Sequence, residues 1–337
     1  MYEDSTVAVV VPAYNEEGFV GDVIDTVPEF VDRVYAIDDC SADGTWGEIR
    51  ARVDHEMTSA DVVDVASASD PGPNTGREVE SDGGAVGKRV VGIRHEHNQG
   101  VGAAIKTGYC AARDDGMDVT AVMAGDGQMD PAMLERVVEP VVAGRADYAK
   151  GNRLSSAEYR REMSVWRSFG NWLLTYLTKI ASGYWGMVDP QNGYTAISLT
   201  ALEAVDVEAV YDDYGFANAL LTRLNVHGMR VADVSVPAVY GDEESSIAYS
   251  TFVPKLSALL LRSFVWRLRT KYLLRDCHPL AFLYGLGVAG TGAGLAAALQ
   301  RDDGDGLAAT LVGLLALVLA MTFDREDNED LHVREES

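Results

Sequence analysis

Within the first 131 residues, three apolar segments each run into a short polar turn that carries carboxylates. They are Val7-Ala-Val-Val-Val-Pro-Ala-Tyr-Asn-Glu-Glu17, Val34-Tyr-Ala-Ile-Asp-Asp-Cys-Ser-Ala-Asp-Gly-Thr45 and Val119-Thr-Ala-Val-Met-Ala-Gly-Asp-Gly-Gln-Met-Asp-Pro131. Carboxylates gathered in one crevice suit two tasks at a nucleotide. They accept hydrogen bonds from base and ribose, and they hold a divalent cation against a diphosphate.

The positioning elements follow from the apolar pattern. Each run is rich in Val, Ile or Ala without alternation, as in strands covered on both faces of a parallel sheet. In an open α/β sheet the ligand sits at the carboxyl ends of the strands. Tyr14, Glu16, Asp38, Asp39 and Asp126 are therefore expected at one edge of one crevice. Helices are predicted over residues 18–30, from residue 44 to about 53, and over 102–114 and 131–143. Pro131 suits a first helical position with Asp130 as its N-cap. A further strand is predicted at 90–94. Residues 57–88 break this rhythm, being rich in Ser, Asp, Gly and Pro, and read as a mobile surface insert. Residues 146–250 are mixed: a short strand near 147–150, helices near 163–182 and 213–226, a turn at 189–193 and a strand at 229–236.

Of the 337 residues, 52 are Asp or Glu and 28 are Lys or Arg, a net charge of -24 with only six lysines. Nucleic-acid binding needs a basic footprint, so it is not expected. An acidic, Lys-poor surface suits a chain kept soluble at very high salt; the alternative is an ordinary acidic protein with an acidic insert. Cys40, Cys110 and Cys277 form no Cys-x-x-Cys pair, so neither a zinc site nor a disulfide framework is indicated. The acidic N-terminus enters a strand without a basic n-region, so no signal peptide is expected.

The C-terminal third changes character. Residues 251–276 interleave Phe252, Leu256, Leu259, Leu260, Phe264 and Trp266 with Lys255, Arg262, Arg267, Arg269 and Lys271. That pattern predicts an amphipathic helix on an anionic membrane surface; a core helix with a solvated basic face is the alternative. Residues 280–299 and 307–323 are uncharged runs separated by a polar connection. They read as a transmembrane hairpin, the shorter run lying near the lower limit for spanning. Cations before the first span keep the preceding domain cytoplasmic, and the acidic tail 324–337 returns to that side. Gly285-x-Gly-x-x-Gly290 matches a dinucleotide fingerprint without its strand–turn–helix context, so these glycines read as a transmembrane helix interface. With the crevice assembled from residues 7–130, removal of residues 276–337 is expected to spare nucleotide binding.

Taken together, Pro-Ala-Tyr-Asn-Glu, Asp-Asp-x-Ser-x-Asp-Gly-Thr and Asp-Gly-Gln-x-Asp-Pro resemble family 2 glycosyltransferases of the GT-A fold, nearest to the branch that makes polyprenyl-phosphate sugars such as dolichyl-phosphate mannose or glucose. The resemblance covers residues 6–250 apart from the insert. It implies a Rossmann-like, mostly parallel sheet with helices on both faces. It also implies that Pro12, Tyr14 and Glu16 lie on the nucleotide and that Ile37 and Asp39 contact base and ribose. Asp126 and Gln128 match the metal motif and would carry Mg²⁺ or Mn²⁺, although Ala124 stands where that motif has its first Asp. Asn98-Gln-Gly-Val-Gly matches a helix entry. Gly151-Asn-Arg153 matches a phosphate-facing Arg, making Arg153 and Arg167 candidates for the acceptor phosphate or the leaving diphosphate. Asp189-Pro-Gln-Asn-Gly193 matches a loop beside the sugar, with Asp189 as base or as orienter of the acceptor. The Arg and Lys that this branch usually has after its last strand are missing from residues 240–246.

The implied function is inverting, metal-dependent transfer of a hexose from UDP or GDP to a dolichyl or other polyprenyl phosphate, by a multi-pass protein of the cell membrane with a cytoplasmic catalytic domain. Transfer onto a lipid-linked oligosaccharide or polysaccharide, and non-catalytic nucleotide-sugar binding, are the alternatives. The oligomeric state is open.

Overall fold

The computed structural model describes residues 1–53, 63–65, 89–153, 165–237, 249–275, 277–300 and 304–334. Its centre is β1 (Val7–Ala13), all seven residues of which are buried. Val7, Val9 and Val11 enter one apolar cluster with helix α4 (Leu134–Val142), while Ala8 and Val10 enter a second with α3 (Val101–Asp114) and α7 (Phe216–Val226). The pleat sends successive side chains to opposite faces, and both faces are covered. An unbroken apolar run is the result, and each buried Val contributes about 1.5–3 kcal/mol by leaving water.

Around β1 lie β2 (Arg33–Asp38), β3 (Val63–Val65), β4 (Arg89–His95), β5 (Val119–Val122), β6 (Tyr148–Asn152), β7 (Thr195–Ser198), β8 (Val231–Ser235) and β9 (His332–Arg334). They form one sheet in the order β3-β4-β2-β1-β5-β7-β6-β8-β9. Every pairing is parallel except those of β7, which runs antiparallel between β5 and β6. The remaining helices of this part are α1 (Val20–Thr26), α2 (Thr45–Arg50), α5 (Val165–Ser182) and α6 (Leu199–Ala204). The mostly parallel sheet expected from the sequence is thus present. A three-residue turn at Pro131–Met133 opens α4, with Asp130 accepting the Ala132 N–H as anticipated. Of the insert, Val63–Val65 form the edge strand; the rest of 57–88 lies outside the described residues, and its expected mobility with it.

Helix α8 (Tyr249–Arg267) continues into a π-helical segment, Leu268–Arg275, and leads to α9 (Pro279–Gln300) and α10 (Gly304–Asp327). Both α9 and α10 are long and apolar enough to cross a membrane. They pack antiparallel: a Cβ at Gly287 would meet Leu317, one at Gly294 would meet Thr310, and one at Gly306 would meet Ala298. Gly285 and Gly292 face open space. So only part of the glycine run serves the interface, on a helical repeat. Outward-facing Leu286, Val288, Leu311, Val312, Leu315 and Val318 are exposed. An apolar surface of this extent is not stable in water, which disfavours a buried soluble pair. Gly313→Val should separate the two helices, because its Cβ would collide with the Thr291 backbone nitrogen. We expect about 1–3 kcal/mol of destabilisation, read as a lower unfolding midpoint in detergent; an unchanged midpoint would disprove the packing.

Two features were not foreseen in the sequence. Within the expected acidic tail 324–337, α10 runs on to Asp327, and His332–Arg334 add β9 in parallel to β8. Not all the cations of the 251–276 segment lie on one outer face. Arg267 is fully buried against Asp324, and Lys271 reaches Asn225, Asn328 and Asp327. The segment joins the sheet domain to the hairpin as much as it offers a basic surface.

Candidate active site

The loops after β1 and β2 are bound to each other by side chains that would otherwise be free to bind ligand. Asn15, in the left-handed region at φ 57, donates its N–H to Ser41 Oγ (2.9 Å), and its Oδ1 accepts the Ala42 N–H (2.9 Å). The Glu16 N–H donates to Thr45 Oγ1 (2.8 Å), and Glu17 accepts the Gly44 N–H. Asp38 is buried in an ion pair with Arg94 (2.9 Å) and accepts the Ser41 N–H (3.0 Å). Asp-rich turns favour such local bonds.

The Asp39 carboxylate is buried, with Oδ1 taking the Gln99 N–H (2.9 Å) and lying 2.7 Å from His95 Nδ1, while Oδ2 takes the Gly100 N–H (2.8 Å). In this structure it organises the entry to α3. Ile37 is also wholly buried in the apolar core. Pro12 is buried too, and its carbonyl accepts the Gly125 N–H (3.0 Å), fixing the β1 end beside the β5 end. Of the residues expected on the nucleotide, Tyr14 stands at the rim, 47 % exposed, and Glu16 is half-buried.

After β5 the backbone turns at Gly127 (φ 72), and Asp126 Oδ1 accepts the Gln128 N–H (3.0 Å). Asp126, Gln128, Asp130, Arg153, Asn192 and Gly193 line one cleft of about 140 Å³. The β5, β6 and β7 elements bring these residues together from 67 positions of sequence (126 to 193). Arg153, at the end of β6, donates its Nε (3.0 Å) and backbone N–H (3.3 Å) to Asp189 Oδ2. Asp189 therefore meets the cleft through Arg153, which lines it. Arg167 lies on α5, and its side chain is outside the described residues.

Three participants had gone unrecognised in the sequence. Asn192 is buried, accepts the Tyr194 N–H (3.0 Å), and its Nδ2 at the cleft wall has no hydrogen-bond partner among the described residues. Lys150 is buried on β6; its Nζ donates to the Asp189 carbonyl oxygen and lies 3.6 Å from Asp233. Burial lowers the pKa of this ammonium, and Asp233 opposes that shift. For Asp233 itself, burial works upward, but Lys150, His332 and the Val188 N–H hold its pKa below the ordinary carboxylate range. A Lys in the short strand segment Tyr148–Asn152 of a chain with six lysines was the available signal.

The donor set tests the expected metal. Among the described residues no group of three or more His, Cys, Asp or Glu is placed to hold an ion. The cleft offers instead a sparse set of oxygens from Asp126, Asp130 and Gln128. That suits a hard cation, and Mg²⁺ in particular takes few protein ligands and completes its shell with phosphate oxygens and water.

Residues 73–205 match the family model described as Glycosyl transferase family 2. The chain is 26% identical over 251 residues to the UDP-N-acetylglucosamine–dolichyl-phosphate N-acetylglucosaminyltransferase of Methanococcus voltae, covering 74% of this chain and 91% of that one. It is 26% identical over 238 residues to the undecaprenyl-phosphate mannosyltransferase of Micrococcus luteus, covering 69% and 83%. In structure it is similar to glucosyl-3-phosphoglycerate synthase from Mycobacterium tuberculosis in complex with UDP, with a TM-score of 0.50, 18% identity and coverage of 78% and 80%. Residues 73–205 thus carry a family 2 glycosyltransferase match, and the mostly parallel sheet with the carboxylate cleft at its strand ends is of the GT-A type.

Proposed function

We propose that this protein transfers a sugar from a UDP or GDP donor to a polyprenyl phosphate, of the dolichyl class, at the cytoplasmic face of a membrane. One observation carries the reading: a cleft joining Asp126 and Gln128 to the Arg153–Asp189 pair belongs to a domain that continues directly into an apolar hairpin. The relatives named for dolichyl and undecaprenyl phosphate acceptors support the acceptor class. Their sugars differ, so the donor remains a choice between a hexose and an N-acetylhexosamine.

Asp126 and Gln128 would hold Mg²⁺ or Mn²⁺, which when bound would neutralise the departing diphosphate. Arg153 would meet a phosphate oxygen, its guanidinium held in place by Asp189. Asn192 would donate its buried N–H to a hydroxyl or phosphate oxygen in the cleft. The acceptor phosphate is ionised near neutral pH, so its oxygen can attack the anomeric carbon in line, with inversion, without a strong base. This fits an Asp189 already engaged by Arg153. Arg262, Arg269 and Arg275 before the first span support the cytoplasmic orientation.

The test is to incubate membranes carrying the protein with radiolabelled UDP- and GDP-sugars, including UDP-N-acetylglucosamine, plus dolichyl phosphate. A chloroform-soluble labelled product, released by mild acid, is expected. Label found only in a lipid-linked oligosaccharide would move the reading to a later transfer, and binding without turnover would make the chain a binder in which Ala124 has cost the metal site its activity.

A further inference from the structure

Asp233 occupies the interior of β8, where an apolar residue would be the unforced choice, since a buried carboxylate costs several kcal/mol unless its oxygens are satisfied. Its side chain is 8 % exposed. Oδ2 accepts the Val188 N–H (2.8 Å) and lies 3.6 Å from His332 Nε2; Oδ1 lies 3.6 Å from Lys150 Nζ. Lys150 in turn donates to the Asp189 carbonyl oxygen. The Val188–Asp189 backbone is thus held from both ends by two groups that face each other. His332 comes from β9, beyond the hairpin, and packs on the same loop: a Cβ at Gly186 would lie 2.5 Å from its Nδ1. The carboxylate of Asp189 then holds Arg153 at the cleft.

We propose that Asp233 is a positioning residue for sugar transfer, fixing the 188–189 backbone and through it the Asp189–Arg153 pair, and that β9 completes this support through His332. The inference rests on the reading that Arg153 meets a phosphate oxygen. Its consequence is that the segment following the membrane hairpin belongs to the catalytic machinery and is more than the end of an anchor.

The experiment uses the full-length protein in detergent with Asp233→Asn, which keeps an acceptor for Val188 but removes the charge facing Lys150 and His332. His332→Ala serves as the milder second variant at the sheet edge. A misplacement of the phosphate-facing group should lower kcat about tenfold or more. The loss should vanish when Asp189→Asn is already present, because both act through one pair. Amide hydrogen exchange should quicken in the 186–192 segment. Equal losses with and without Asp189→Asn, or unchanged exchange in 186–192, would overturn the proposal. A wild-type protein that transfers to no polyprenyl phosphate would remove the functional reading alone, and the exchange measurement would still decide the positioning.

Discussion

Asp126→Asn should lower sugar transfer by about 10²–10³-fold, on the scale of losing one preorganised contact to charge that develops in the transition state. Asp126 is the cleft carboxylate nearest in sequence to where the family motif has two, since Ala124 fills the first place. The Asn side chain keeps an oxygen for the Gln128 N–H, now 3.0 Å from Oδ1, and Gly127 retains its φ of 72. The turn should therefore persist, and the unfolding free energy should change by less than about 0.5 kcal/mol, as for a surface change away from core contacts. The loss would lie in kcat with the fold and membrane location intact. Wild-type turnover of Asp126→Asn under saturating Mg²⁺ would remove this residue from the metal assignment.

The second large effect concerns the joint between the sheet domain and the hairpin. Arg267 is fully buried, with Nη1 and Nη2 paired to the two oxygens of Asp324 at 2.9 and 2.7 Å. Its Nε and Nη2 also donate to the carbonyls of Ala181 and Ile180, the last turn of α5 (3.0 Å each). Such cations at a helix C-terminus satisfy carbonyls that have no partner within the helix. Gly183, at φ 84, makes the room: a Cβ there would lie 2.5 Å from Arg267 Nη1. Tyr272 and Asn328 add bonds to the same carboxylate (2.8 and 3.0 Å).

Asp324→Ala would leave the guanidinium buried and without its carboxylate, at a cost of about 3–5 kcal/mol. Replacing both partners, as Arg267→Met with Asp324→Leu, should recover much of this, because the desolvated charge is then gone. Differential scanning in detergent would measure it; a double variant no better than Asp324→Ala would contradict a charge-driven cost. The same joint alters what truncation should do. Removing residues 276–337 takes away Asp324 and β9 together, so the shortened protein should lose activity on short, water-soluble acceptors as well as long ones. Expecting only the membrane tether to be lost treated the nucleotide crevice as independent of the C-terminus.

The elements that the sequence determined by itself are those whose signal is local. Both faces of β1, β2 and β5 are buried, so their runs are apolar throughout, and the covered parallel sheet was readable from composition alone. The hairpin was readable because length and lack of charge are its whole specification, and Asp130 before Pro131 marked the start of α4. The association of Asp126 with Arg153 was readable only through the resemblance of their motifs.

Tertiary structure decided whatever depends on which polar groups meet. Asp39 was expected on base and ribose, and only the fold shows that the amides of Gln99 and Gly100, at the entry to α3, also bond its oxygens. Asp189 was expected as base or as orienter, and the sequence did not show that Arg153 pairs with it. Strand β7 had no periodic signal, being four residues long and sharing its sides with β5 and β6. β9 and the buried Arg267–Asp324 pair were hidden for a sharper reason. Charges in an acidic tail and a basic helix read as solvated surface, because nothing local distinguishes a screened charge from one awaiting a buried partner 57 residues off. Only the return of the chain through the hairpin brings the two together, and desolvation then makes each necessary to the other.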